Sequence, residues 1–150
     1  MISKLNKKNG FTLVEILVVI AVVGILSILA VVALNNAREK SRDAKRISDI
    51  RQIQTALQLY FNDNNAYPIS AAGTTLGGTG AGTLSSTNGF SDTAAGTTYM
   101  NLIPSNSSPG GASYIYTSVD GSTYSITFVL EGRAGELAPG SRTANPRGIQ

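Results

Sequence analysis

The pattern of apolar and polar positions divides the chain near residue 34. Residues Ile16 to Leu34 carry no charged side chain and no proline, and polarity from Phe11 to Leu34 is confined to Thr12, Glu15 and Ser27. At ~1.5 Å per residue this stretch predicts a helix of roughly 35 Å, enough to cross a bilayer core of ~30 Å. The rival is the core helix of a soluble domain, but such helices are usually shorter and interleaved with polar residues. From Asn35 to about Asn64 there is again no Pro and no Gly. There the apolar positions Ala37, Ala44, Ile47, Ile50, Ile53 or Gln54, Leu57 and Phe61 recur every three or four residues, a helical period. One continuous helix is therefore predicted from Phe11 to about Asn64, lipid-facing in its first half and amphipathic in its second. Glu39–Arg42, Asp43–Arg46 and Lys45–Asp49 lie at helical pair spacing, so the charge run reads first as a solvated face with intrahelical pairs. Its sharper readings are pairing between subunits, or contact with DNA or anionic headgroups.

Asn62-Asp63-Asn64-Asn65 ends the helix, and Tyr67-Pro68 sets an extended exit. Residues 71–98, dominated by Gly, Thr, Ser and Ala, read as a long surface loop with at most a short helix or ribbon. Tyr99 to Pro104 returns to apolar residues and is expected to pack on the helix, and Ser105 to Ser113 is a second loop. The strongest hairpin signal spans 114–130, with Asp120-Gly121 as its turn. Tyr124, Ile126, Phe128 and Leu130 alternate onto one face, which is expected to cover the helix stripe. The tail 131–150 offers a further strand near Glu136-Leu137 and then a loose end. The expected fold class is α+β: one long N-terminal α-helix packed against a small antiparallel β-sheet.

Composition narrows the chemistry. The 150 residues carry a formal charge of +3, but Lys4, Lys7 and Lys8 all lie ahead of the apolar run. Removing those three from the twelve basic residues leaves nine against nine acidic ones. Without residues 1–10 the chain is close to neutral, and net charge predicts no general attraction to nucleic acid, which is an unlikely partner. There is no Cys and no His, hence no disulfide staple, and the commonest general base and metal ligand is missing. No nucleophile–base pair or metal cluster is visible, so neither an enzyme nor a cofactor or metal site is expected. Asp92, Asp120 and Glu131 are the remaining candidates for an ion, and their spacing fits no loop motif.

Glu15 is the anomaly. An ionised carboxylate in hydrocarbon costs at least ~2.5–3.5 kcal/mol and calls for a partner or a function. It lies four residues after Phe11, on the same helical face. A cut after Gly10 would give Phe11 a free ammonium group, the obvious counter-charge, from the same chain or a neighbour. The alternative is a carboxylate that snorkels to the interface.

Gly10-Phe11-Thr12-Leu13-Val14-Glu15, after a short Lys-rich leader, closely resembles the class III signal of type IV pilins and type II secretion pseudopilins. The resemblance implies that a prepilin peptidase cuts between Gly10 and Phe11 on the cytoplasmic side and N-methylates Phe11. It also implies that Glu15 pairs with the Phe11 amine of an adjacent subunit during assembly, and that residues 1–10 are a leader, 11–34 a transmembrane and filament-core helix, and 35–150 an extracytoplasmic pilin domain. The implied precursor is a single-pass inner-membrane protein with a cytoplasmic N-terminus, later drawn into a cell-surface filament. A count of positive charges alone conflicts with this orientation, since Arg38, Lys40, Arg42, Lys45, Arg46 and Arg51 follow the run; the processing motif decides for the leader side. An ordinary secretory signal, cut near Ala33, is disfavoured by the length of the run and by Glu15. In the family a Gly near position 24 often precedes a helix-loosening Pro; here Val32 stands in that place. Tyr67-Pro68 and Leu102 to Tyr116 are similar to major pseudopilins, but Ser108-Pro109-Gly110-Gly111 replaces their Asp-Pro-Trp-Gly, so their calcium site is not carried over.

Three functions follow. The first is a structural subunit of a type IV pilus or pilus-like filament, a homo-oligomer with minor pilins, the peptidase and the assembly machinery as partners. The second is a pseudopilin of a type II secretion or DNA-uptake machine. The third, of another class, is a membrane-tethered adhesion module that never polymerises and uses Tyr99, Tyr114 and Tyr116.

Overall fold

A computed structural model describes residues 10–106 and 111–150. The leader up to Asn9, and Ser107-Ser108-Pro109-Gly110 of the second predicted loop, lie outside the described residues. Helix α1 runs Leu13–Asn64 without interruption, 52 residues. The chain divides into two compact units, Met1–Arg38 and Glu39–Gln150.

Within the first unit the apolar side chains of α1 are exposed on every face, from Ile16 through Leu34. Ser27 donates its hydroxyl to the Val23 carbonyl at 2.7 Å, the usual way a helix hides a hydroxyl from an apolar surrounding. A Cβ at Gly24 would meet nothing within 4 Å.

The second unit is built on the rest of α1. The helix stops at Asn65, whose φ of +54° is left-handed and whose N–H bonds the Phe61 carbonyl at 2.8 Å, an Asn in the capping position that Gly usually takes. Eight strands follow: β1 (Ser70–Thr75), β2 (Thr83–Ser85), β3 (Gly89–Ser91), β4 (Thr98–Met100), β5 (Ile115–Ser118), β6 (Ser125–Leu130), β7 (Gly140–Asn145) and β8 (Gly148–Ile149). They form an antiparallel sheet ordered β1-β5-β6-β7-β8 and a small one ordered β3-β2-β4. The β5–β6 hairpin pairs Tyr116 with Ile126 and Ile115 with Thr127. Ile126, Phe128 and Leu130 of β6 are buried together with Ile50, Ile53 and Leu57 of α1. The α+β architecture of one long helix against antiparallel sheet is thus present, and the alternation read along β6 selects its core face.

Four expectations need correction. Residues 71–98 hold more strand than a loop with a short ribbon: β1, β2 and β3 lie within or across them and β4 begins at Thr98, with turns and irregular stretches between. Three-residue strands are too short to show a period. Hydroxyls hold them as much as apolar packing does: Thr83 donates to the Ser91 carbonyl, and Ser85 and Ser86 accept the Ala95 and Thr97 N–H groups. The hairpin connection spans 119–124 and is not a two-residue turn, with Asp120 accepting the Ser122 N–H at 2.9 Å. The tail is not loose, because β7 pairs five residues with β6, while Glu136-Leu137 contributes only a bridge between Ala134 and Leu137. Backbone pairing to β6 on one side and β8 on the other places β7 in the sheet without any apolar alternation, and only Ala144 of it is buried. The helix stripe is rotated, too: Ala37 and Ala44 are exposed, whereas Asp43, Arg46 and Asp49 are buried.

One glycine is required by space as well as by conformation. Gly77 has φ +70°, and a Cβ there would stand 2.7 Å from the Ser105 nitrogen and 2.8 Å from the Pro104 carbonyl.

Candidate functional site

The motif residues meet at the start of α1. Thr12 precedes the first helical residue, Leu13. Its Oγ1 accepts the Glu15 N–H at 3.2 Å, and Glu15 Oε2 accepts both the Thr12 N–H and the Thr12 hydroxyl at 2.8 Å. This is a reciprocal capping box, in which two donors left open by the helix end satisfy each other's residues. The carboxylate also sits where the helix dipole favours negative charge. Glu15 therefore has a partner within its own chain, Thr12, which the sequence reading passed over although Thr-x-x-Glu before an apolar run is the signature of such a box. Only Oε2 is engaged; among the described residues Oε1 accepts no hydrogen bond. Gly10 precedes the helix, and Phe11 is 84% exposed.

Behind the motif, α1 is long and apolar enough to cross a membrane: its most apolar 18-residue window has a mean hydropathy of 3.3, and none of it is buried in the protein. Together, motif and helix point to membrane anchoring through the N-terminal segment.

A second polar cluster lies in the folded unit. The Asp43 carboxylate accepts the Glu131 N–H at 3.0 Å and the Gly132 N–H at 2.7 Å. Arg46, fully buried, donates to Asp43 Oδ1 at 2.6 Å, to Glu131 Oε1 at 2.6 Å and to Asn106 Oδ1 at 2.8 Å. Arg42 forks onto both oxygens of Glu131. These bonds from Arg42, and then from Arg46, hold the Glu131 carboxyl down at a pKa of about 2. Of the intrahelical pairs expected from spacing, Asp43–Arg46 is present and buried, while Arg42 turns to Glu131 instead of Glu39. The charge run is thus only partly a solvated face: its inner edge clamps α1 to the end of β6. Nothing in its spacing announces this, because Glu131 is 88 residues away from Asp43. Nearby, Asp49 is buried and accepts the Tyr114 hydroxyl at 3.1 Å; burial pushes its carboxyl up. Tyr116 donates to the Pro68 carbonyl at 2.7 Å. Both tyrosines are fully buried, so neither can line an adhesive surface, and Tyr99 donates to Asp63 at 2.7 Å.

Asp92, Asp120 and Glu131 do not converge: Asp92 accepts the Gly80 N–H, Asp120 the Ser122 N–H, and Glu131 the two arginines. Among the described residues no three His, Cys, Asp or Glu side chains are grouped to hold a metal ion.

The comparisons with known proteins agree with the motif. The family model of the prokaryotic N-terminal methylation motif matches residues 5–33. The chain is 43% identical over 67 residues to a type II secretion system core protein G of Aeromonas hydrophila, covering 45% of this chain and 47% of that protein. It is 43% identical over 68 residues to the protein of that name from Escherichia coli K12, covering 45% and 47%. The one from Vibrio cholerae is 33% identical over 70 residues, covering 47% and 48%. The matched region spans about half the length of these relatives. No solved structure matches the chain. The chain thus carries the prokaryotic N-terminal methylation motif, is similar over less than half of its length to type II secretion system core protein G relatives, and sets one long helix against antiparallel sheet, a pilin-like architecture.

Proposed function

We propose that this chain is a pseudopilin, a structural subunit and not an enzyme, which is cut between Gly10 and Phe11, methylated at Phe11 and assembled through α1 into the short filament of a type II secretion machine. The observation that carries this reading is the likeness to the core protein G relatives over 67 residues, a longer stretch than the motif at 5–33. The type IV pilus, first choice from sequence alone, is supported by the motif that both kinds of filament subunit share, and so yields first place to the secretion reading.

On this reading residues 1–10 are a leader on the cytoplasmic side, 11–34 cross the inner membrane and later line the filament core, and 35–150 lie outside the cytoplasm. The partners are the prepilin peptidase, further pseudopilins and the assembly machinery. Assembly is driven by burial of the apolar side chains of α1 at ~25 cal/mol per Å². Glu15 supplies register: its Oε2 caps its own helix and its open Oε1 receives the new ammonium group of Phe11 on a neighbour. Desolvating such a pair offsets much of its attraction, so the contribution is to specificity more than to net stability.

The test is N-terminal mass analysis of the membrane-extracted protein, together with a secretion assay on a deletion strain. A mass beginning at N-methyl-Phe11 and loss of protein secretion are expected. An intact leader, or secretion that continues unchanged, refutes the proposal. Glu15→Ala is expected to insert normally and to reduce assembly by at least about tenfold, the loss from one misregistered charge contact.

A further inference from the structure

A groove runs along the folded unit. One wall is the stripe Lys40, Ala44, Ile47 and Arg51 of α1, spaced four, three and four residues apart, and the other is Arg133, Ala134 and Gly135. Its volume is about 470 Å³, and it continues past Gln54 toward Leu137 and Ile149. The floor is apolar and the rim is cationic. Among the described residues Lys40 and Arg51 make no ion pair. The nearby carboxylates are otherwise placed: Asp43 and Glu131 are held by Arg42 and Arg46, Glu39 lies against Gly132, and Glu136 stands on the far rim of the continuation.

The same unit carries a protrusion of opposite character. Antiparallel pairing of Ser70 with Ser118, continued by the bond from the Tyr67 N–H to the Gly121 carbonyl, sets Ile69 beside Val119. These two side chains are 69% and 72% exposed, and large apolar groups presented together at a sheet end mark a contact surface. Asp120 follows directly; its carboxylate is exposed, accepts only from Ser122 and makes no ion pair among the described residues.

From this complementarity we infer that the groove receives the Ile69–Val119–Asp120 protrusion of a second copy of this chain, apolar pair on apolar floor and carboxylate among the cations. Groove and protrusion are different patches of one surface, so the contact is heterologous and propagates from copy to copy instead of closing a dimer. The inference rests on the reading of the chain as an assembling subunit and names the surface its folded unit uses.

Because the chain has no cysteine, the test is a full-length Val119→Cys/Ala134→Cys variant, co-expressed with its own assembly machinery and oxidised in the membrane fraction. The expected result is a ladder of dimers, trimers and longer species, with each single variant remaining monomeric. Normal assembly without a ladder overturns the docking, leaves the cations to anionic headgroups and leaves the subunit reading intact. A wild-type chain that lysine-reactive cross-linking never traps above monomer overturns the subunit reading, and the docking with it. If the cysteine pair fails to fold, charge exchange decides. Arg51→Glu and Asp120→Lys are each expected to lower assembly by about tenfold, and the two together to restore it to within about twofold. Folded single variants that assemble normally, or a folded pair that does not recover, overturn the inference.

Discussion

The clamp between α1 and the end of β6 makes a quantitative prediction for Asp43→Ala. The carboxylate is 1% exposed and holds two backbone N–H groups and the Arg46 guanidinium within 3.0 Å. Removing one member of a buried ion pair costs about 3–5 kcal/mol, because the partner charge stays buried. Here the lower end applies, since Arg46 keeps Glu131 and Asn106. The two N–H groups, part-buried, add about 1 kcal/mol or more between them when they lose their acceptor. The expected loss is about 4 kcal/mol, a large share of the ~5–15 kcal/mol typical of a domain. The assay is urea unfolding of the full-length chain in detergent, followed by near-ultraviolet circular dichroism of the buried tyrosines. With a slope near 2 kcal/mol per molar, the midpoint falls by about 2 M. In a double-mutant cycle Asp43→Ala and Arg46→Ala together cost less than the sum of the two, by about 1–3 kcal/mol. A loss below about 1 kcal/mol, or strict additivity, refutes the idea that this cluster holds the helix to the sheet.

Three further outcomes follow from the same structure. Glu131 has a folded pKa of about 2 against an ordinary 4.5; its contribution is fully present above about pH 4.5 and is lost as the pH falls toward 2, and Glu131→Gln flattens that part of the acid-unfolding curve. Gly77→Ala puts a Cβ against the Pro104–Ser105 backbone at a left-handed φ and is expected to cost about 2 kcal/mol or more in the same urea assay, where a Gly→Ala change at a tolerant site would stabilise. Thr12→Ala removes the cap, costs about 1 kcal/mol of local helix stability and speeds amide exchange over residues 13–16, whereas Thr12→Ser leaves exchange unchanged.

The relation between sequence and structure differs along the chain for a physical reason. α1 was legible from end to end, because hydrogen bonds within a helix are local and a long run without Pro, and with Gly24 as its single Gly, declares itself. So was the β5–β6 hairpin, since a buried face on a strand forces alternation, and Tyr124, Ile126, Phe128 and Leu130 obey it. The motif at Gly10, Phe11 and Glu15 was legible as well, because a charge in an apolar run is conspicuous whatever surrounds it. The Thr12–Glu15 box was equally local, and its spacing alone would have revealed it.

Tertiary structure decided the rest. The strands within 71–98 formed through backbone pairing, β1 with the distant β5 and β2 with β3, and through hydroxyl bonds to the backbone, neither of which leaves a period. β7 was set by the open edge of β6, not by its own Ser-Arg-Thr-Ala sequence. Which face of α1 is buried was settled by Glu131 and Asn106, which meet Arg42, Arg46 and Asp43 only once the sheet is folded; a charged side chain is buried when a distant partner can satisfy it, and spacing along one helix cannot announce that partner. Local bonding is written in consecutive residues, whereas burial of a charge depends on what the rest of the chain brings to it.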